Sequence, residues 1–262
     1  MRKKLSEIKV VRKIMFPIFS RLNFEYGWKH DITQRKLYLL TWLHKGYWFY
    51  GSQRESSELK MFRQLINKGD CVFEIGGHIG YITQIFEDLV GAEGKVLVAE
   101  PTLESRYLLE KNVRDNTEVL PFAMADMDGE MEFYTENFGG FTNSLVNEFV
   151  DESNKRLSDS QENSKNLISK VTVEVKTVDS ICEQHLVKPN FLKIDVEGAE
   201  LLVLKGAKQV IQNARALMVE VSRNHKEVFD FLKACDFIAL NAQGVTLGDE
   251  IKGDNIFFVK RS

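Results

Sequence analysis

Cysteine is scarce in this sequence, and neither sign of charge dominates it. Only three cysteines occur among 262 residues, and no Cys-x-x-Cys or Cys/His cluster is present, which argues against a disulfide scaffold and a cysteine-based zinc site. Lys and Arg total 35 against 38 Asp and Glu, giving a formal net charge of −3, so we expect no nucleic acid partner. No apolar run approaches the roughly 18 residues that cross a bilayer. These absences predict a cytoplasmic protein.

The first 22 residues combine a basic composition with helical spacing. They hold seven basic residues and one acid. Their apolar side chains recur every three or four residues, at Ile8, Val11, Met15, Ile18 and Leu22. Such a helix can lie on an anionic inner membrane surface, but packing on its own domain or in a homo-oligomer is the simpler interpretation. All three tryptophans fall in the first 50 residues, so residues 1–55 are predicted to form an N-terminal helical extension.

From residue 71 onwards, short apolar runs alternate with segments of helical periodicity. Strands are predicted at 71–75, 95–99, 119–123, 191–194, 217–221, 237–240 and 256–259. Helices are predicted at 81–90, 103–114, 201–213 and 226–234. This alternation implies an α/β fold in which a mostly parallel seven-stranded sheet carries helices on both faces. Turn residues at 241–244 add an antiparallel edge hairpin.

A long insertion, about residues 127–170, separates the third and fourth predicted strands. Residues 130–134 alternate like a strand, whereas residues 147–170 are polar. Long irregular segments in compact domains are usually functional lids or disordered loops. We therefore predict a flap at 147–170, with a surface insertion of no particular role as the alternative.

Glycines cluster directly after the first strand of the sheet, in Phe73-Glu74-Ile75-Gly76-Gly77-His78-Ile79-Gly80. Glycine lets the backbone turn sharply and lets a ligand approach it closely, and the following helix start can meet an anion. Glu100 ends the next strand, where an acid can accept hydrogen bonds from ribose hydroxyls. The two features together predict a nucleoside-containing cofactor.

The glycine spacing narrows the identity of that cofactor. The dinucleotide pattern Gly-x-Gly-x-x-Gly is absent, because residue 78 is His and residue 81 is Tyr. The spacing Glu74-x-Gly76-x-x-x-Gly80 is closer to that of S-adenosylmethionine enzymes. A NAD-dependent oxidoreductase on a Rossmann sheet is thus the less favoured alternative.

A second motif, Lys193-Ile194-Asp195-Val196-Glu197-Gly198-Ala199-Glu200, follows the fourth strand. Ligands of open α/β sheets lie beyond the carboxyl ends of the strands, so Asp195 is expected in the same crevice as Gly76. Placing three acids this close together beside an apolar strand costs free energy, which indicates a functional role for at least one of them. Glu197 and Glu200 also suit the first turn of a helix, where acids are favoured, whereas Asp195 suits that position less well.

These blocks resemble the FkbM family of S-adenosylmethionine-dependent methyltransferases over roughly residues 55–240. The resemblance rests on the loop at 74–81, Glu-Pro at 100–101, Asn112, Asn143-Ser144, the block at 192–200, Leu-Lys-Gly-Ala at 204–207 and Glu220. The family usually has Asp at 74, Ala at 77 and Asn at 78. Glu74, Gly77 and His78 are therefore departures from its pattern.

The resemblance implies a class I methyltransferase (Rossmann-like) fold for residues 56–262. It also implies transfer of a methyl group from S-adenosylmethionine to a hydroxyl of a small-molecule, sugar or glycan acceptor. The cofactor-binding residues that it implies are Glu74, Gly76, Gly77, His78, Gly80, Tyr81, Glu100, Asp126 and Asp195. Asp126 follows the third strand, where this fold often contacts adenine, although a turn role is an alternative.

Chemistry at a hydroxyl requires alignment of the acceptor oxygen and removal of its proton. Asp195 is the predicted base or acceptor-orienting group, and Glu220 ends the adjacent strand beside it. The two carboxylates could instead hold a divalent metal, with only Asn224 and His225 as further ligand candidates. A catalytically silent S-adenosylmethionine-fold binding protein is the other alternative.

Overall fold

A computed structural model describes residues 22–50, 56–136, 144–145, 168–248 and 255–261. The chain divides into two compact units, residues 1–54 and 55–262. Among the described residues, no helix is long and apolar enough to cross a membrane.

The N-terminal unit contains a β-hairpin. Strands β1 (Glu25–Lys29) and β2 (Lys36–Leu40) pair in antiparallel fashion, and a short helix α1 (Lys45–Tyr50) follows. The helical prediction is therefore wrong for the hairpin, where Leu37 and Leu39 are buried and alternate with more exposed neighbours at the period of a strand. Residues 1–21 lie outside the described part, so membrane contact through the basic segment stays a prediction.

The second unit alternates strands and helices. Its strands are β3 (Cys71–Ile75), β4 (Lys95–Ala99), β5 (Thr117–Leu120), β6 (Ala123–Met124), β7 (Gly129–Glu136), β8 (Ile168–Lys176), β9 (Phe191–Ile194), β10 (Ala216–Glu220), β11 (Phe237–Leu240) and β12 (Asn255–Lys260). Its helices are α2 (Ser56–Leu65), α3 (Tyr81–Val90), α4 (Leu103–Asn112), α5 (Val178–Gln184), α6 (Glu200–Lys205), α7 (Lys208–Asn213) and α8 (His225–Ala234).

Seven of these strands form one sheet in the order β11-β12-β10-β9-β3-β4-β5. The five strands from β10 to β5 run parallel to one another. Strand β12 is antiparallel to both of its neighbours, β10 and β11. The seven-stranded, mostly parallel sheet and its edge hairpin are thus confirmed, with the antiparallel strand one position in from the edge.

Helices cover both faces of this sheet because its strands are apolar on both sides. On one face, Val72 belongs to a core that includes Phe62 of α2 and Phe86 of α3, whose rings lie 5.0 Å apart. On the other face, the adjacent Phe73 packs in a core with residues of α5, α6, α7 and α8, such as Ile181. The sequence indicates this arrangement through near-continuous apolar runs in the central strands.

Two predicted elements are divided in the structure. The third strand separates into β5 and β6 around Pro121, which has no N–H to donate to a ladder. The helix predicted at 201–213 separates into α6 and α7 at Gly206, where a Cβ would lie 2.0 Å from the carbonyl oxygen of Ala125.

The insertion contributes a separate three-stranded sheet of order β6-β8-β7. The strand predicted at 130–134 is confirmed within β7, which pairs with β8 along its whole length. Strand β8 was not predicted, although Val171, Val173 and Val175 alternate with polar residues there. Residues 168–170 of the predicted flap belong to β8, and residues 147–167 lie outside the described part.

Candidate active site

The two sequence motifs meet at the carboxyl ends of neighbouring parallel strands. The N–H of Asp195, which follows β9, donates to the carbonyl of Ile75 at 3.0 Å. The N–H groups of Gly76 and Gly77 donate to the carbonyl of Ala99, at the end of β4, at 3.0 and 3.2 Å. These hydrogen bonds bring the loops after β3, β4 and β9 together at one edge of the sheet.

The glycine loop is in close contact with the loop after β9 and with strand β4. Gly76 has a φ of 87°, and a Cβ there would lie 1.8 Å from the carbonyl oxygen of Asp195. At Gly77 a Cβ would lie 2.1 Å from Cγ2 of Val98. In this chain the valine methyl occupies the space that an alanine at 77 would need, which accounts for that departure from the usual family residue.

Glu100 is held at the end of β4 by two backbone N–H groups. His78 N–H donates to Oε2 and Thr102 N–H donates to Oε1, both at 2.9 Å. The Glu100 side chain is nearly enclosed, at 7% exposure, and burial raises its pKa against the opposing effect of these hydrogen bonds. The Thr102 side chain also hydrogen-bonds to this carboxylate, and the remaining acceptor capacity can receive a hydroxyl of a bound diol.

His78 contributes its backbone to this arrangement. It has a φ of 48° in the left-handed region, which His and Asn tolerate better than most residues. Replacement of the usual family Asn by His therefore preserves the backbone donor to Glu100.

Helix α3 starts at the crevice with Gly80 as its N-cap and the buried Tyr81 as its first residue. Asn112 of α4, also buried, donates from Nδ2 to the carbonyl of Ile79 at 2.7 Å. Its own carbonyl accepts from Nε2 of Gln84 at 2.9 Å. Since Gly80 has no side chain with which to cap the helix, the N–H groups of the first turn can meet a bound anion.

A buried lysine lies beneath the loop. Lys193 Nζ is 3.0 Å from Asp195 Oδ2, 3.3 Å from the carbonyl oxygen of Gly76 and 3.4 Å from Glu74 Oε1. Glu74 also accepts a hydrogen bond from Thr83 Oγ1 at 2.6 Å. Burial raises the pKa of Glu74 to about 7, although Lys193 and Thr83 act in the opposite direction. Glu74, at 1% exposure, therefore supports the loop from within the protein.

Asp195 and Glu220 form a hydrogen-bonded carboxyl pair. Burial alone would raise the pKa of Asp195, but the charge of Lys193 and the hydrogen bond from Glu220 hold that pKa below its usual range. The negative charge of Asp195, together with burial, raises the pKa of Glu220 well above its usual range. The two shifts are opposite in direction, as expected for neighbouring carboxyls that share one proton.

The loop that carries Asp195 is fixed by local contacts. Glu200 is buried and accepts hydrogen bonds from Gly198 N–H at 2.8 Å and Ser222 Oγ at 2.9 Å. Ser144 Oγ donates to the carbonyl of Glu197 at 2.6 Å, which attaches the insertion to this loop. Glu200 thus stabilises the start of α6, which is the helix first-turn role that its position in the sequence suggested.

Asp126 is exposed and lies beside Gly206, between α6 and α7, and its contact with adenine stays a prediction. The adjacent turn is held by Asp128, which accepts from Thr177 N–H at 2.7 Å and from Ser180 Oγ at 2.9 Å. Within the described ranges, no three His, Cys, Asp or Glu side chains are grouped so that they could hold a metal ion.

Lys193 and Ser144 both belong to the sequence motifs, but no role was predicted for either residue. A usable signal existed for Lys193, because a lysine inside the apolar strand Phe191–Ile194 must find partners in the core. No comparable signal marked Ser144, whose acceptor lies 53 residues away in the chain.

Comparison with known proteins identifies the methyltransferase class. The family model described as the methyltransferase FkbM domain matches residues 74–239. The 2-O-methyltransferase NoeI of Sinorhizobium fredii (strain NBRC 101917 / NGR234) is 24% identical over 219 residues, which cover 74% of this chain and 86% of NoeI.

Two solved structures are similar at lower identity. Methyltransferase FkbM from Methylobacillus flagellatus KT is 15% identical, with a TM-score of 0.46, covering 95% of this chain and 59% of that one. A putative rRNA-methylase from Clostridium thermocellum is 10% identical, with a TM-score of 0.44, covering 79% of this chain and 95% of that one. Because the family match spans more than half of the sequence, the chain belongs to the FkbM family and is an S-adenosylmethionine-dependent methyltransferase of class I fold.

Proposed function

We propose that the protein transfers a methyl group from S-adenosylmethionine to a hydroxyl oxygen of a sugar, glycan or other small-molecule acceptor. The observation that carries this proposal is the Asp195 carboxyl, which directly follows β9 beside the glycine loop and lies 3.0 Å from the ammonium group of Lys193. The name of the relative NoeI, a 2-O-methyltransferase, supports the same class of acceptor atom.

The residues of the crevice fit the methyl donor. Glu100 can offer its carboxylate to the ribose hydroxyls, and the first turn of α3 can meet the donor's carboxylate. The close approach of Gly76 to the Asp195 carbonyl leaves no room for a side chain at residue 76. When bound, S-adenosylmethionine supplies a methyl group already activated on a sulfonium.

Asp195 then has two tasks. Its carboxylate accepts a hydrogen bond from the acceptor hydroxyl, which fixes the oxygen for in-line attack. As the new C–O bond forms, the hydroxyl proton becomes strongly acidic, so a carboxylate of low pKa is basic enough to take it. Glu220 keeps its own proton and donates it in a hydrogen bond to Asp195, which orients the base.

A divalent metal between Asp195 and Glu220 is the second mechanism to consider. Lys193 already places a positive charge 3.0 Å from Asp195, which opposes the binding of a cation at this carboxyl. This charge balance favours a mechanism in which the base acts without metal.

The proposed function predicts that purified protein will move label from S-[methyl-³H]adenosylmethionine into fractionated cell glycans or lipids. The linkage should survive mild alkali, because methyl ethers do and methyl esters do not. Activity should persist in EDTA. Loss of activity in EDTA with recovery in Mg²⁺ or Mn²⁺ would establish the metal mechanism. A protein that binds donor but labels no fraction would favour the silent binding protein.

The assignment of Glu100 to the ribose predicts a large loss of donor affinity on substitution. Glu100→Ala should weaken binding of S-adenosylhomocysteine by roughly 1.5–3 kcal/mol, since charge-assisted hydrogen bonds are lost. Titration calorimetry measures this directly. Glu104→Ala is the matched control, because it removes an exposed acid from the next helix. Equal affinities for wild type and Glu100→Ala would remove the ribose assignment.

A further inference from the structure

The side chain of Lys193 is buried, and each of its three N–H donors has an acceptor nearby. Its side chain is 5% exposed, in a central strand of the sheet. An ammonium group has three N–H donors, and the three acceptors around it are Asp195 Oδ2, the carbonyl oxygen of Gly76 and Glu74 Oε1. Glu74 lies on the β3 side of the glycine loop, Gly76 is part of that loop, and Asp195 belongs to the loop after β9.

The register of the sheet enforces this placement. Glu74 of β3 and Met218 of β10 lie directly opposite Lys193 on either side. Paired residues of parallel strands share a face, and Glu220 lies two residues beyond Met218, so it shares that face as well. A charge at 193 therefore acts on both carboxyls of the pair.

A buried ammonium is expensive to desolvate, and here that cost is offset by the two carboxyls and the carbonyl oxygen that surround it. Its position distinguishes the two carboxyls. Lys193 contacts Asp195 directly, at 3.0 Å, and acts on Glu220 only through the field of its charge.

We propose that Lys193 is a positioning residue for methyl transfer: its ammonium group, 3.0 Å from Asp195 Oδ2 and 3.3 Å from the carbonyl oxygen of Gly76, supplies the counter-charge of Asp195 and holds that carboxyl against the glycine loop. The inference rests on the proposed function only for the role of Asp195 as base. The other charged groups that act on Asp195 or Glu220 from the adjacent elements are Glu74, His78, Glu197 and Glu200. The three acids favour the protonated state of a neighbouring carboxyl, whereas His78 acts on Asp195 in the same direction as Lys193 but more weakly.

Carboxyl ¹³C NMR of the cofactor-free protein tests this inference. The Asp195 signal is assigned by its loss in Asp195→Asn, and its titration is followed in three variants. Lys193→Met alone would leave Glu74 buried without its cation, so the informative variant is Glu74→Gln/Lys193→Met. Glu74→Gln alone is the matched control, because it retains the contact between Lys193 and Asp195.

We expect the double variant to raise the proton affinity of Asp195 about tenfold or more over the Glu74→Gln control. The acid limb of the kcat–pH profile should move to higher pH in the same variant. Lys193→Arg, which keeps the charge, should hold the Asp195 titration near that of wild type even if its geometry lowers kcat.

An Asp195 titration identical in the control and the double variant would overturn the inference, as would a Lys193→Arg titration that matches the double variant. If the double variant does not fold, Glu74→Gln/Lys193→Gln replaces it, and an Asp195 titration identical to that of Glu74→Gln overturns the inference. A displaced titration in a protein that methylates no hydroxyl would refute the proposed function and leave the electrostatic role of Lys193 standing.

Discussion

Asp195→Asn is expected to lower kcat about 10²-fold or more while the affinity for S-adenosylhomocysteine changes only a few-fold. The amide keeps the shape of the side chain and can still accept a hydrogen bond, but it cannot take the proton of the acceptor hydroxyl. Single-turnover kinetics with saturating donor separate this loss from any change in binding.

The residual activity of Asp195→Asn should come from Glu220. Without the charge of Asp195, the main cause of the raised Glu220 pKa disappears, so Glu220 ionises beside Lys193 and becomes a poorly placed substitute base. Asp195→Asn/Glu220→Gln should therefore lose the remaining turnover. Asp230→Asn, on the exposed face of α8, is a matched control for the chemical change. A kcat for Asp195→Asn within a few-fold of wild type would exclude Asp195 as the base.

Gly76→Ala is expected to destabilise the fold by roughly 2–5 kcal/mol and to reduce donor binding at least tenfold. One part of the cost is the left-handed backbone, with a φ of 87°. The other part is the contact of 1.8 Å between the new Cβ and the carbonyl oxygen of Asp195, which must separate the loops after β3 and β9. Urea unfolding and calorimetry with S-adenosylhomocysteine measure the two effects.

Gly69→Ala separates these contributions. Gly69 has a φ of 81°, but nothing lies within 4 Å of a Cβ at that position. Its substitution should cost only the backbone term, about 1–2 kcal/mol, and should leave donor binding intact. Equal destabilisation by the two substitutions would show that the loops are not in the tight contact described.

Local sequence patterns were sufficient to predict the strands and helices that define the large sheet. Strand 71–75 and helix 81–90 have the predicted bounds, because apolar runs and a glycine before a helical period are properties of a few adjacent residues. The resemblance to the family was likewise carried by short continuous motifs. The hairpin at 25–40 and strand β8 were missed, because alternating polar strands give a weaker signal than buried parallel ones.

The protonation of the site depends on residues that are distant in the chain. The sequence by itself determined that Gly76, Glu100 and Asp195 would gather at one sheet edge, since parallel strands end on the same side. Only the tertiary structure decided that Lys193 contacts a carbonyl 117 residues away, and that burial and neighbouring charges shift the pKa values of Asp195 and Glu220 in opposite directions. The physical reason is that pKa depends on burial and on charges within a few ångströms, and neither is encoded in the spacing of residues along a strand.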